Sequence, residues 1–427
     1  MPTNINPLNS HRDGTSRAWR APIAGLLASL LAATLVACGG GGGSSSAGVG
    51  TGGTGSFAVG TISGFGSIIV NGVRYDDRSA SVVDDDDDAS SSGALAIGQV
   101  VELRGSVASD GLTGTASSVS FFSELKGPIT AVGANSVTVF GQVVNVNATT
   151  VYANATGLAA LAVGNVIEVY GLPAAGGAIT ATRIEREAIS IADYRGDFRV
   201  RGVVSGLVST SPGQRFTVGS VLVQTDGNTR TEGTVANGVF VKVRLNTTVN
   251  SDTSYTAVRV KVKKRVYESG VNKAEVQGLV SEFTSLTAPF KVNGYPVQLD
   301  TSVTYEHGVA GDLNNGVRIE AKGAVTTDVL VVRKIEFDTE NNDGGDDGNR
   351  APFEFHGVAT CSATSCGSLT GSFVLRSDVT VQYNTTTKFI GDLTAAKLNG
   401  AKVEVKAIAQ SGPGGTTWLA TRIKLDN

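Results

Sequence analysis

Several groups of side chains in this sequence could do chemistry, and the first group is acidic. Asp84, Asp85, Asp86, Asp87 and Asp88 follow one another without interruption. Clustered carboxylates bind calcium when a loop folds their oxygens inward, but five adjacent like charges more often repel one another and stay solvated. We predict a solvated loop, with a weak calcium site as the alternative.

A second acidic segment, residues 338–353, has some features of a calcium loop. Counted from Asp343, the spacing places Asp347 and Glu354 at positions 5 and 12 of an EF-hand loop. Position 3 is Gly345, which has no side-chain oxygen, and strands rather than helices are expected on both sides. We interpret the segment as an acidic linker, with weak calcium binding that stiffens it as the alternative.

Two cysteines lie close together near the C-terminus. Cys361 and Cys366 flank the tetrapeptide Ser-Ala-Thr-Ser, and in an oxidising envelope such a pair forms a disulfide. A zinc site would need two more ligands, and only His356 lies nearby in the sequence. A redox Cys-x-x-Cys motif has a spacing that is two residues shorter. We predict a structural disulfide.

A basic stripe consists of Arg259, Lys261 and Lys263, which alternate with valine, followed by Lys264 and Arg265. One face of this strand is expected in a core and the other at the surface. Such a stripe could bind lipid A phosphates, acidic polysaccharide or nucleic acid, although Tyr267 is its only nearby aromatic residue for base stacking. A solvated strand face is the default interpretation, and polyanion binding is the alternative.

No catalytic constellation stands out. The three histidines are His11, His307 and His356, and none lies in the context of a serine or cysteine nucleophile. We therefore predict no catalytic residues, no cofactor and no enzymatic activity; a hydrolytic enzyme is the weakest alternative.

Glutamates recur at one strand position, at Glu102, Glu168, Glu320 and Glu404, and Lys242 replaces them once. A position that returns in every repeat indicates a structural charge that faces outward, and not a paired catalytic acid and base.

The N-terminal segment has the layout of a secretory signal. Three arginines precede an apolar run over residues 21–37, which ends at Ala37-Cys38. This layout is typical of a signal peptide, and a run of 17 residues is short for a membrane-spanning helix. Cys38 after Leu-x-Ala resembles the bacterial lipobox, which implies lipidation of Cys38; an ordinary cleaved signal is the alternative. The absence of an aspartate after Cys38 implies an outer-membrane anchor, with the protein facing the periplasm or the exterior.

Composition separates the rest of the chain into a tether and a β-rich body. Residues 38–56 are rich in glycine and serine, which indicates a flexible tether. Without residues 1–37 the net charge changes from −3 to −5, and this balance does not fit a general nucleic-acid binder. Beyond the tether, valine, threonine and glycine dominate, which favours short strands over helices.

A pattern of strands returns five times after the tether. The opening glycines are Gly60, Gly127, Gly202, Gly278 and Gly357, and the fourth strands begin at Gly98, Gly164, Gly238, Gly316 and Gly400. The two glycines are 38, 37, 36, 38 and 43 residues apart. Five strands, with a connection before the fourth that can hold one helical turn, are expected of a small OB-like barrel. We predict a tethered row of five such barrels.

The second pass carries a resemblance to a known family. Residues 137–147 read Val-Thr-Val-Phe-Gly-Gln-Val-Val-Asn-Val-Asn, and residues 163–171 read Val-Gly-Asn-Val-Ile-Glu-Val-Tyr-Gly. Both segments resemble domain of unknown function 5666, which occurs as tandem repeats in bacterial lipoproteins. The resemblance implies an architecture; it implies no activity and no catalytic residues.

The predicted organisation is all-β with short linkers. Its parts are a signal peptide (1–37), a lipidated cysteine and tether (38–56), barrels at 57–122, 125–187, 198–266 and 275–337, an acidic linker (338–353) and a fifth barrel at 354–427.

The expected function is a non-enzymatic cell-envelope lipoprotein that acts as a binding or scaffold module. Several weak identical sites on one chain would raise avidity without new contacts. The expected partners are the membrane, through the N-terminal lipid, and an envelope protein or a polysaccharide. The main alternative is a surface protein that binds polysaccharide or another polyanion through the stripe.

Overall fold

The computed structural model describes residues 55–84, 89–90, 94–337, 353–362, 365–376, 379–412 and 414–426. Strands dominate this part of the chain, and none of its helices is long and apolar enough to cross a membrane. The predictions for the signal peptide, Cys38, Asp85 to Asp88, Asp343, Asp347 and nearly all of the acidic linker fall outside the described residues. The predicted tether ended at residue 56, but the first strand already begins at Gly55.

Five repeats account for the strands. Repeat 1 contains β1 (Gly55–Phe65), β2 (Ile68–Val70), β3 (Val73–Asp76), β4 (Ser81–Val83), β5 (Ala89–Ser90), β6 (Val100–Val107) and β7 (Thr113–Phe122). Repeat 2 contains β8 (Leu125–Val132), β9 (Ser136–Val139), β10 (Gln142–Asn145), β11 (Val151–Ala153), β12 (Val166–Pro173) and β13 (Ile179–Ala188). Repeat 3 contains β14 (Phe198–Ser209), β15 (Gln214–Val218), β16 (Val221–Gln224), β17 (Arg230–Glu232), β18 (Phe240–Val249) and β19 (Tyr255–Val262).

The last two repeats follow the same plan. Repeat 4 contains β20 (Val271–Ser281), β21 (Phe290–Val292), β22 (Tyr295–Glu306), β23 (Arg318–Thr326) and β24 (Val329–Phe337). Repeat 5 contains β25 (Phe353–Val358), β26 (Gly371–Arg376), β27 (Val379–Tyr383), β28 (Lys388–Phe389), β29 (Lys402–Gly412) and β30 (Gly415–Leu425). Single 3-10 turns occur at Leu158–Ala160, Ala175–Gly177, Ile191–Asp193, Ala310–Asp312 and Ala395–Lys397.

Each repeat closes into a small barrel. In repeat 1, β1, β2 and β3 pair as consecutive antiparallel strands, β3 runs parallel to β7, and β6 pairs with both β7 and β1. Repeats 2, 3 and 4 form the same ring, and in repeat 5 a single bridge between Thr360 and Val374 joins the first two strands. The prediction of five OB-like barrels is confirmed, and the parts of β1 and β8 that the ring of their own barrel leaves unpaired bind strands of other repeats.

The opening glycine of a repeat makes room for the first hairpin. A Cβ at Gly60 would collide with the side chain of Asn71, and a Cβ at Gly278 would collide with that of Asn293. Both asparagines have a positive φ and precede a glycine that also has one, as a two-residue type I′ turn requires. The first hairpin therefore requires glycine at the opening position, because the asparagine of the Asn-Gly turn occupies the space that a Cβ would need.

The glycine before the fourth strand is required by its backbone conformation. At Gly98, Gly164, Gly238, Gly316 and Gly400, φ lies between 80° and 91°, a region in which side chains with a Cβ are strained. The regular spacing found in the sequence thus marks a turn that only glycine adopts easily.

The barrels do not stand in a row in sequence order. Strand β1 runs parallel to β20 of repeat 4 from Ser56 to Val59, and parallel to β25 of repeat 5 at Gly64 and Phe65. Strand β8 pairs with β14, and β11 of repeat 2 pairs with β30 of repeat 5. Strand pairing therefore connects the repeats in the order 4, 1, 5, 2, 3.

The hydrophobic cores merge along the same connections. Repeats 1 and 5 share one cluster of buried side chains, and repeats 2 and 3 share another. Phe57 of β1 packs into the core of repeat 4, where its ring centroid lies 5.2 Å from that of Tyr295. Burial of a phenylalanine side chain contributes about 1.5–3 kcal/mol, so these shared residues stabilise pairs of barrels and not single ones.

Gly64→Ala is expected to destabilise the protein by about 1–3 kcal/mol. The new Cβ would collide with the carbonyl oxygen of Glu354 and with Ile69, which disrupts the pairing of repeats 1 and 5. The measurement is urea unfolding followed by circular dichroism. Gly311→Ala is the matched control, because a Cβ there meets open space. Equal stability of the two variants would contradict the pairing.

Candidate functional site

The first, fourth and fifth strands of each barrel present their outward side chains in matched rows. In repeat 2, Glu168 on β12 lies directly opposite Lys126 on β8 and Glu185 on β13. Its chain neighbours Ile167 and Val169 point into the core, because successive side chains of a strand alternate between faces. The recurrent glutamate therefore belongs to a charged outer face.

In repeat 2 this outer face is covered. Lys126 is 8% exposed and Glu168 is 6% exposed, and Lys126 Nζ lies 2.8 Å from Glu168 Oε2 and 3.4 Å from Glu187 Oε2. Burial lowers the pKa of Lys126, but the two carboxylates outweigh burial and raise it. Glu168 faces outward from its barrel, as the sequence predicts, but it is shielded from solvent because β14 of repeat 3 pairs with β8 beside it.

Repeat 3 fills the same rows with positive charges. They are Arg199 and Arg201 on β14, Lys242 and Arg244 on β18, and Arg259 and Lys261 on β19, and we call these six residues the cationic face. They form two rows of three direct cross-strand partners, with Arg244 central in one row and Lys242 central in the other. Like charges directly opposite one another destabilise a sheet, so this face favours an anionic partner.

Four residues of the cationic face line a small crevice. Lys242, Arg244, Arg259 and Lys261 enclose about 10 Å³, which is room for about one water-sized group. Lys242, one of the four, is only 5% exposed. The crevice suits one carboxylate, sulfate or phosphate oxygen, held by charge-assisted hydrogen bonds.

Carboxylates at the margin orient the two arginines of the crevice. Arg244 Nε donates to Asp197 Oδ2 at 2.9 Å. Arg259 Nε and Nη2 each donate to Glu232 at 3.0 Å, and Arg259 helps to lower the pKa of Glu232. The contact of Arg259 is bidentate, that of Arg244 uses one carboxylate oxygen, and both orient a guanidinium and balance part of the positive charge.

Comparison with known families assigns the repeats. The family model for a domain of unknown function (DUF5666) matches residues 58–120, 126–185, 201–261, 277–336 and 363–424, one match in each barrel. The chain belongs to the DUF5666 family. No curated protein matches the sequence.

A solved structure also matches, at low similarity. The chain described as "drosophila Unr CSD456" is 14% identical, and the match covers 53% of this chain and 96% of that one with a TM-score of 0.12. A TM-score this low supports no statement about fold or function.

The structure places the residues of the predicted basic stripe at different sites. Arg259 and Lys261 lie on the cationic face of the third DUF5666 repeat, whereas Lys263 and the exposed Lys264 follow the end of β19. Sequence reasoning did not group the other four residues of the face with the stripe, since they lie on strands whose register the sequence does not reveal. In the sequence, the replacement of the recurrent glutamate by Lys242 is the feature that points to a positively charged outer face in this repeat.

Arg265 points away from the stripe into a junction between three DUF5666 repeats. Its side chain is 7% exposed and lies 3.6 Å from the carboxylate of Glu102. Its guanidinium carbon lies 4.1 Å from the ring centroid of Phe240 and 5.4 Å from that of Tyr295. Such cation–π contacts stabilise packing, so Arg265 is a structural residue here.

Two clusters have the spacing of metal ligands. The ligand atoms of Glu354, His356 and Glu404 lie within 4.8 Å of one another, and so do those of Glu168, Glu185 and Glu187. Lys406 pairs with Glu354, and Lys424 lies 2.7 Å from Glu404. Cations beside the carboxylates oppose a divalent ion, so we interpret the clusters as ion-pair networks.

The remaining sequence predictions fall at separate places. Of the candidate calcium ligands, Glu354 lies in the network of repeat 5, and Asp84 is partly exposed just after β4. Cys361 and Cys366 form a disulfide in repeat 5, with 5.8 Å between their Cα atoms. The structure brings none of these residues to the cationic face.

Lys126→Met is expected to lower the free energy of unfolding by about 3 kcal/mol, because it leaves Glu168 buried without its closest cation. Chemical denaturation measures the change. Lys291→Met is the matched control: Lys291 pairs with Glu282 at 2.7 Å, but both side chains are exposed, and such pairs contribute about 0–1 kcal/mol. An equal effect of both substitutions would count against the buried pair.

Stability is expected to fall as the pH drops below about 6.5. Burial and the Arg74 guanidinium hold the pKa of His356 below its usual 6.5, against the attraction of Asp426. The unfolded chain therefore takes up a proton first, so the contribution present above pH 6.5 is lost as the pH falls through the lowered pKa. Unfolding free energies between pH 7.5 and 5 should show a smaller slope in His356→Gln than in the unchanged protein. His307→Gln is the control, and an unchanged slope in His356→Gln would rule out the effect.

Proposed function

We propose that the protein is a non-catalytic binding module, anchored to the outer membrane by lipid on Cys38, that holds an acidic polysaccharide on the cationic face of repeat 3. The observation that carries the proposal is the convergence of Lys242, Arg244, Arg259 and Lys261 on one crevice. The DUF5666 family supplies an architecture but no activity, so the ligand is argued from the charges.

The chemistry of the face suits a chain of carboxylates. Arginine presents a planar fork that matches a carboxylate, whereas lysine acts as a mobile point charge, and the crevice contains two of each. Arg199 and Arg201 serve the junctions with neighbouring repeats: Arg199 Nη1 lies 3.8 Å from Glu168 Oε1, and the guanidinium carbon of Arg201 lies 3.6 Å from the ring centroid of Phe122. The four residues of the crevice therefore form the proposed contact with an acidic group of the polymer.

Negative charge on the rest of the chain would restrict polyanion binding to the cationic face. The chain without its first 37 residues has a net charge of −5, so a polyanion meets repulsion over much of the surface and attraction at the cationic face. Binding through exposed charges weakens with salt, because the Debye length falls to about 8 Å at physiological ionic strength.

The N-terminal sequence supports an envelope location. Sixteen residues separate Cys38 from the first strand, and an extended chain of that length spans up to about 55 Å. Such a tether would let the barrels reach polymer outside the layer of lipid headgroups. Lipidation with more than one acyl chain would make the anchor durable.

The test is calorimetric titration of the protein with polygalacturonate, an acidic polysaccharide, and with dextran, a neutral one. We expect polygalacturonate alone to bind, with affinity that falls steeply between 50 and 200 mM salt. Arg259→Gln combined with Lys261→Gln should weaken binding about tenfold or more, since a hydrogen bond to a charged group contributes about 1.5–3 kcal/mol.

Lys264→Gln is the matched control, because Lys264 belongs to the same basic stretch of sequence but lies outside the crevice. Equal weakening by this control, or binding that does not depend on salt, would reject the cationic face as the site. Failure of polygalacturonate to bind would favour a scaffold for an envelope protein.

A further inference from the structure

We propose that the cavity between repeats 1, 2 and 4 is a second binding site, which takes an uncharged, hydroxyl-rich ligand such as one or two sugar units. The site is separate from the cationic face, and the proposal does not depend on the function proposed above.

The cavity lies where the three repeats meet. It is a cleft, partly open to solvent, of about 550 Å³, within the range of about 300–1,000 Å³ that is usual for small-molecule sites. Repeat 1 contributes its Asn-Gly hairpin turn, repeat 2 contributes the end of β10 and the following loop, and repeat 4 contributes β20 and β23. Phe353 of repeat 5 forms part of the wall.

Side-chain amides give the cavity its hydrogen-bonding character. Asn135, Asn145 and Gln277 line it, and none of the three side chains has a hydrogen-bond partner among the described residues. An amide donates and accepts at once, which is the complement of a sugar hydroxyl. Three amides from two repeats can therefore bind several hydroxyls of one ligand.

The walls also offer apolar surface. Leu172 and Phe353 lie among the polar residues of the lining and contribute small apolar areas, since they are 3% and 5% exposed. A sugar ring has apolar C–H faces and a polar edge, so a cavity that alternates the two characters suits it. Purely polar surroundings would favour water.

The charged residues of the lining do not favour an ionic ligand. Arg318 uses Nη2 to donate to Thr180 Oγ1 at 2.9 Å. Glu320 lies directly opposite Gln277, and burial, together with the neighbouring Glu275 carboxyl, raises the pKa of Glu320 well above its usual value.

The contacts that form the cavity also hold it in shape. Repeat 1 joins repeat 4 through β1 and β20, and it joins repeat 2 through Thr182 Oγ1, which donates to the carbonyl of Gly98 at 2.5 Å. The bond from Arg318 to Thr180 joins repeats 2 and 4. A site assembled from rigid elements is preorganised, which lowers the entropic cost of binding.

The experiment is saturation-transfer NMR on the whole protein, followed by calorimetric titration, with maltose, cellobiose and N,N′-diacetylchitobiose as neutral probes and galacturonic acid as the anionic probe. We expect at least one neutral disaccharide to bind. Asn145→Leu and Gln277→Leu should each weaken it at least tenfold, whereas Asn228→Leu, on an exposed loop of repeat 3, should not change it. Circular dichroism checks that each variant is folded.

The double variant Arg259→Gln/Lys261→Gln separates the two sites, because it should bind the neutral disaccharide as well as the unchanged protein does. Absence of binding to all three neutral probes would overturn the proposal. So would binding that survives both cavity substitutions, or a preference for galacturonic acid, which would assign the cavity to an anion at Arg318.

Discussion

The pairing of β1 with strands of two other repeats is the contact on which the rest of the molecule depends. A single barrel of roughly 60–70 residues buries too little apolar surface to be more than marginally stable. Strand β1 extends the sheets of repeats 4 and 5 and carries Phe57 and Phe65 into their cores. The walls of the cavity keep their positions because this strand links the barrels that form them.

The outer face of the barrels shows how one backbone position accepts different chemistry. The position holds Glu168 beside Lys126 in repeat 2, Glu320 beside Gln277 in repeat 4, and Lys242 beside Arg201 in repeat 3. The barrel core does not change with these residues, since they point away from it. The repetition predicts several weak identical sites, but at this position repeat 3 carries Lys242 where repeats 2 and 4 carry glutamate.

The fold of each barrel could be predicted because its signals are local. The glycines before the fourth strand mark a turn with positive φ, and the alternation of valines marks the strands. The order of the barrels could not be predicted, since backbone hydrogen bonds between strands such as β1 and β20 require no particular side chains. For the same reason the sequence predicts one surface from Arg259 to Arg265, although Arg265 lies in a junction between repeats and the partner of Arg244 is Arg199 on another strand.

The order of the barrels also has a consequence for the way in which the protein reaches its native state. Strand β1 is synthesised first, but its partners on β20 and β25 begin at Val271 and Glu354. Contacts between residues so far apart in sequence form slowly, because a long loop must close before they gain any stability. The edge of β1 that pairs with β20 and β25 therefore stays unpaired until repeats 4 and 5 have been synthesised. During that time similar strands of the wrong repeat compete for this edge, which is the characteristic hazard of repeat proteins. We expect the docking of barrels, and not the closure of each one, to limit the rate of folding.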